Sequence, residues 1–190
     1  MDEHDPYADY PDLLLTKPKA SKLFGFQWSS GFVSPFRITK NIEILLELLE
    51  TDIKVTNQTK ICDLGCGDGI VLIEVCKKFN CKGIGFDLDE NLIKEASNKS
   101  EEENLNIQLI HKDFLTIQES DLEGVNIIYM YLLPEALKKI EKIIKQFLFT
   151  RNYIFITNTF ELPLTQEEID ENEIQILKKG LFTTYSFPSE

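Results

Sequence analysis

Positive charge is scarce in this chain. Lysine and arginine number 20 against 32 aspartates and glutamates, a formal net charge of −12. Tight non-specific nucleic-acid binding relies on Lys and Arg neutralising phosphates. No nucleic-acid partner is therefore expected, and a protein partner suits this balance better. Long hydrophobic runs are absent as well, and none approaches the length of a membrane span. The start, Met1-Asp2-Glu3-His4-Asp5, is acidic. It lacks the basic and apolar regions of a signal peptide and the Arg-rich character of a transit peptide. Cysteine and histidine are few, at four and two. Cys62, Cys66, Cys76 and Cys81 make no C-x-x-C pair, and the histidines are distant in sequence, so no metal is expected. Unpaired thiols suit a reducing compartment. A cytoplasmic location is expected, with mitochondrial association left open.

What remains is ordinary for a folded domain. The 190 residues suffice for one domain with a real core, and apolar content is 43%. Residues 1–22 read as a flexible acidic arm, and 23–190 as a single domain. Within it, 23–50 reads as a lid and helix, 58–160 as a ligand-binding core and 173–187 as a terminal hairpin. Residues 23–36 hold Phe24, Phe26, Trp28, Phe32 and Phe36, too aromatic for a disordered linker. They pack on the core or cover a ligand. Ile42, Leu45, Leu46 and Leu49 follow helical spacing. Strands at 60–64 and 82–87 alternate with helices at 69–79 and about 90–100, and Asp89 is placed to cap the second helix. Ser100 to Asn104 reads as a polar loop. Further strands follow at 107–110, 125–131 and 153–159, and Pro134 opens the helix between the last two. The acidic run 166–173 reads as a solvated loop or short helix. Alternating strands and helices predict an α/β fold: a Rossmann-like three-layer sandwich with a mostly parallel seven-stranded sheet and a C-terminal antiparallel hairpin.

The chemistry concentrates in Asp63-Leu64-Gly65-Cys66-Gly67-Asp68-Gly69, between the first strand and the first following helix. Glycines at such a turn let the backbone approach a ligand closely. The dinucleotide fingerprint G-x-G-x-x-G would need glycine at position 70, which is Ile. Asp63 and Asp68 flank the loop, and two carboxylates suit a cation better than a pyrophosphate. An ammonium and sulfonium ligand such as S-adenosylmethionine fits. Asp87 ends the second strand, about 20 residues past the turn, where an acid suits the two hydroxyls of a ribose.

The Asp63–Gly69 segment resembles the first motif of class I S-adenosylmethionine-dependent methyltransferases. The resemblance implies roles residue by residue. Asp63 lies near the methionine portion, while Gly65, Cys66 and Gly67 supply close backbone. Asp87 takes the ribose, Leu88 lies against the adenine, and Asp113 meets its amino group with Phe114 beside it. A turn cap is the alternative for Asp113. The Asn/Asp-Pro-Pro-aromatic motif of many base and glutamine methyltransferases is absent after the fourth strand. Ser34-Pro35-Phe36, the Asp63–Leu72 stretch and Tyr131-Leu132-Leu133-Pro134-Glu135 are together similar to a narrower family. It comprises small protein-lysine methyltransferases related to those acting on the adenine nucleotide translocase and the ATP synthase c-subunit. The acidic N-terminal arm departs from the apolar segment of the animal mitochondrial members.

The resemblance implies methyl transfer to an amine, with a protein lysine as acceptor, a protein substrate and S-adenosylhomocysteine as product. Tyr129, Tyr131 and Glu135 are candidates for orienting the amine. Trp28, Phe32, Pro35, Phe36 and Pro134 are candidates for binding the substrate, aromatic faces holding a methylated ammonium by cation–π attraction. Alternation of Tyr129 and Tyr131 across a buried strand is the plain structural alternative. A small-molecule N- or O-methyltransferase and a non-catalytic scaffold remain open alternatives. A monomer is the default expectation.

Overall fold

The computed structural model describes residues 38–188. The arm at 1–22 and the aromatic segment carrying Trp28, Phe32, Pro35 and Phe36 lie outside the described residues. In chain order the elements are α1 (Ile38–Thr51), β1 (Lys60–Leu64), α2 (Ile70–Phe79), β2 (Lys82–Asp87), α3 (Glu90–Glu102) and β3 (Ile107–His111). Two 3₁₀ turns follow, Phe114–Thr116 and Glu119–Leu122. Then come β4 (Ile127–Met130), α4 (Pro134–Leu148), β5 (Ile154–Asn158), α5 (Gln166–Glu171), β6 (Gln175–Lys179) and β7 (Phe182–Ser186).

The seven strands form one sheet in the order β3-β2-β1-β4-β5-β7-β6. The first five are parallel, and β7 runs antiparallel between β5 and β6. Order reverses at β1, which pairs with both β2 and β4. Ligands of open α/β sheets bind at such a switch point, outside the carboxyl ends of the strands.

The central strands are apolar almost throughout because both faces are covered. On one face Cys62, Phe86, Ile128, Met130 and Phe155 pack with Leu137, Ile140, Ile144 and Phe147 of α4. On the other Ile61, Ile127, Tyr129 and Ile156 pack with Leu45, Leu48 and Leu49 of α1 and Leu72, Val75 and Cys76 of α2. The period of two sends alternate residues to opposite faces. Asp63 is level with Tyr129 on β4 and Gly85 on β2, so all three belong to the α1/α2 face.

Local signals explain most boundaries. Asp89 caps α3, its Oδ1 accepting from Asn91 N at 2.9 Å and Leu92 N at 3.4 Å. Pro134 occupies the first turn of α4, where a missing N–H costs nothing. The acidic run from Gln166 forms a short helix. The Thr165 hydroxyl accepts from Glu168 N while the Glu168 carboxylate accepts from Thr165 N, a reciprocal capping box. The polar stretch read as a loop from Ser100 continues α3 to Glu102. Ser100 faces inward, 3% exposed, and its hydroxyl donates back to Ser97 O. Among the described residues no helix is long and apolar enough to cross a membrane.

Candidate active site

The loop after β1 is anchored on the neighbouring strand. Gly65 N and Cys66 N both donate to Phe86 O, at 2.8 and 3.0 Å. Gly67 N donates to Asp87 Oδ2 at 2.8 Å, and Asp89 N donates to Asp87 Oδ1 at 2.9 Å. Asp87 thus ties the glycine loop to the start of α3. Each oxygen of a carboxylate has a second lone pair, so Asp87 can still accept from a ligand.

Two glycines here have separate jobs. Gly67 has φ +53, and a Cβ built on it would meet no described residue within 4 Å. Among the described residues that side of the loop is open, as a close-lying ligand requires. Gly69 has φ +75, and its Cβ would stand 2.8 Å from Ala96 Cβ. It permits the start of α2 to pack against α3.

Asp63 is 3% exposed. No described residue donates a hydrogen bond to its carboxylate. Burial, then the charges of Asp87 and Asp68, hold the carboxyl well above the usual carboxylate range. Among the described residues this buried acid therefore lacks a positive partner. Asp68 is less available to a ligand: its Oδ2 lies 3.3 Å from Lys99 Nζ, and Lys99 also pairs with Glu95 at 2.9 Å. Burial and Asp63 raise the Cys66 thiol, which stays protonated and unreactive.

Beyond Asp87 the surface becomes apolar. Leu88 is 41% exposed, and its carbonyl is 3.0 Å from His111 Nε2. Asp113 caps the first 3₁₀ turn, Oδ1 accepting from Leu115 N at 2.8 Å. The capping role is therefore real, and no described residue claims Oδ2. Phe114 packs half-buried against the core. Leu115, not expected from the sequence, is an exposed apolar side chain next to Asp113.

At the end of β4 the arrangement turns polar. Tyr129 is buried, and its hydroxyl accepts from Asn158 Nδ2 at 3.2 Å. Burial first, then the Asp63 charge, keeps this phenol protonated. Tyr131 is half-buried and pushed up to about 12 by desolvation, countered by a hydrogen bond with Thr159. Glu135 stands in the first turn of α4, after Pro134. Asn158 and Thr159 escaped the sequence reading. The end of β5 is a carboxyl end of the same sheet, the one signal that could have flagged them. Among the described residues no group of three or more His, Cys, Asp or Glu could hold a metal.

The structure therefore brings together Asp63, Gly65, Cys66, Gly67 and Asp87. The register places Tyr129 level with Asp63. Leu88, Asp113 and Phe114 follow the neighbouring strand ends, β2 and β3. Tyr131, Pro134 and Glu135 continue from β4 into α4.

Comparisons with known proteins bear on this geometry. The family described as "ANTKMT methyltransferase domain" matches residues 63–169. A carboxy-S-adenosyl-L-methionine synthase from Nautilia profundicola is 30% identical over 168 residues, covering 85% of this chain and 69% of that protein. A protein-lysine N-methyltransferase from Saccharolobus islandicus is 32% identical over 99 residues, covering 48% of this chain and 60% of that one. Among solved structures, an RNA methyltransferase from Salinibacter ruber, in complex with S-adenosyl-L-homocysteine, superposes with a TM-score of 0.59 at 19% identity. That match covers 80% of this chain and 92% of the other. It speaks for a shared fold.

Proposed function

Because the chain belongs to the ANTKMT methyltransferase domain family of S-adenosylmethionine-dependent methyltransferases, we propose that it methylates an amine, the ε-amino group of a protein lysine. The observation that carries the cofactor half is the set of acceptors around Gly67. Among the described residues no donor reaches the buried Asp63 carboxylate, and none stands within 4 Å of a Cβ built on Gly67. Asp87 has lone pairs to spare. These residues fit a ligand with positive charge at one end and a ribose at the other. Asp63 would balance the charge, the Gly65–Gly67 backbone would lie along the chain of the ligand, and Asp87 would accept from the ribose hydroxyls. Leu88 and Phe114 would flank the adenine, and Asp113 Oδ2 would accept from its amino group. When bound, S-adenosylmethionine supplies a methyl group on a cationic sulfur.

Protein-lysine acceptance draws support from the Saccharolobus relative and from the end of β4. Tyr129 and Tyr131 are neutral at pH 7, so they offer hydrogen bonds without charge. Neither is a base at that pH. Their part is alignment, which is most of what such a displacement needs. A lysine ammonium must lose a proton before it can attack. Partial burial beside the cationic sulfur would lower its pKa, and Glu135, in the first turn of α4, is the candidate to receive that proton. The net charge of −12 favours a basic protein surface as partner.

A small-molecule reaction is a second reading, favoured by the match to a carboxy-S-adenosyl-L-methionine synthase. One experiment separates the two. Methyl-labelled cofactor and the purified protein are added to a cell lysate, and the labelled species are identified by mass spectrometry. Label on lysine side chains of proteins is the expected result. Label confined to metabolites would overturn the lysine assignment.

A further inference from the structure

A hydrogen-bonded row crosses from β5 to β4 beside the cofactor loop. Thr159 Oγ1 donates to Asn158 Oδ1 at 3.0 Å, and Asn158 Nδ2 donates to Tyr129 Oη at 3.2 Å. A side-chain hydrogen bond also joins Tyr131 to Thr159. Asn158, Thr159 and Tyr129 are 8%, 7% and 3% exposed. Ile156 is level with Tyr129, so Asn158, two residues on, belongs to the face that carries Tyr129 and Asp63.

The backbone beneath this row is strained. Thr159 has φ +68. Phe160 N donates to Asn158 O at 2.8 Å, closing a three-residue turn of the rare γ kind around it. Thr159 N donates to Leu181 O at 2.7 Å, which pins the turn to the terminal hairpin. A β-branched residue in this conformation persists only where its surroundings enforce it, and such strain clusters at functional sites. Ordinary core packing needs no amide at position 158. An apolar side chain would fill the space without the cost of desolvation.

We propose that Asn158 and Thr159 are positioning residues of the acceptor site, setting the Tyr129 and Tyr131 hydroxyls to receive the acceptor nitrogen. This rests on the reading of the chain as a methyltransferase. Asn158 suits the task because one amide serves both sides. Its carbonyl takes the Thr159 proton and its NH₂ holds the Tyr129 oxygen, which directs the Tyr129 O–H away from Asn158. The hydrogen bonds named above join β5 to β4 and none of them ends on the glycine loop or Asp87, so losing them should separate transfer from cofactor binding.

The test uses the full chain in lysate with methyl-labelled cofactor, counting label in the protein and metabolite fractions. S-adenosylhomocysteine affinity is measured in parallel by calorimetry. Asn158→Ala and Thr159→Val should bind S-adenosylhomocysteine within about twofold of wild type while kcat falls about 100-fold, the scale of a 1 Å misplacement. Thr159→Ser, which restores the hydroxyl, should recover most of the rate. Should Asn158→Ala fail to fold, Thr159→Val keeps the shape of threonine and decides alone. Wild-type rates in Thr159→Val, or a rate loss matched by an equal loss of S-adenosylhomocysteine affinity, would overturn the positioning role. Label only in metabolites would remove lysine as acceptor, and the same variant comparison would still decide on Asn158. No label in either fraction from wild type would sink the methyltransferase reading and this inference with it.

Discussion

Alanine at Gly67 and alanine at Gly69 should fail in opposite ways. Both positions have positive φ. A Cβ there costs about 1–2 kcal/mol through its clash with the following carbonyl. At Gly67 no described residue opposes the new methyl, so Gly67→Ala should lose only that amount, about 2–4 °C of melting temperature per kcal/mol. Its methyl, however, fills the space in front of the loop. S-adenosylhomocysteine affinity should fall at least about tenfold, which is about 1.4 kcal/mol. At Gly69 the Cβ stands 2.8 Å from Ala96 Cβ and 3.7 Å from Ala96 Cα. A neighbouring helix cannot yield as a flexible side chain can, so overpacking adds about 1–3 kcal/mol. Gly69→Ala should therefore lose about 2–5 kcal/mol in all, while the protein that still folds binds nearly as wild type. Adding Ala96→Gly should return the overpacking share, less about 1 kcal/mol for glycine in a helix. Urea unfolding gives the stabilities and calorimetry the affinities. Wild-type affinity in Gly67→Ala would refute the placement of the ligand. Additive losses in the Gly69→Ala, Ala96→Gly pair would refute the packing argument.

Other expectations concern titratable groups. Asp63 is held above the usual carboxylate range by burial, Asp87 and Asp68. Its folded form therefore keeps a proton that the unfolded chain releases near pH 4. The stability it contributes is complete below that value and is lost as pH rises through the folded pKa. Asp63→Asn should accordingly gain melting temperature relative to wild type at pH 8 but not at pH 4, and should lose S-adenosylhomocysteine affinity least at low pH. A gain at pH 4 alone would contradict the sign. The four free cysteines are all buried. A thiol reagent should find none within minutes in the native chain and all four in urea.

The residues proposed to hold the cofactor could be picked out because their signals are local. Gly67 and Gly69 mark backbone that needs positive φ, and Asp87 follows at a strand end a fixed distance on. The acceptor half depends on register, which one strand cannot reveal. Nothing in Thr157-Asn158-Thr159 says that Asn158 reaches Tyr129 across the β4–β5 pairing. Composition also misleads where a polar residue faces inward. Ser100 reads as loop, yet its hydroxyl is satisfied by its own helix, so α3 continues past it. Asp113 shows a third limit. Its position at the end of β3 was clear, but a short turn after it claims one carboxylate oxygen as a cap.

The central assignment is that the loop from Asp63 to Gly69, with Asp87, binds S-adenosylmethionine. Thermal unfolding of the full chain with increasing S-adenosylmethionine tests this most directly. Binding to the native state alone should raise stability without limit as ligand rises, by about 2.7 kcal/mol at one hundred times the dissociation constant. Gly67→Ala should shift the response to higher ligand concentrations. A melting temperature that stays unchanged at millimolar S-adenosylmethionine would contradict the assignment.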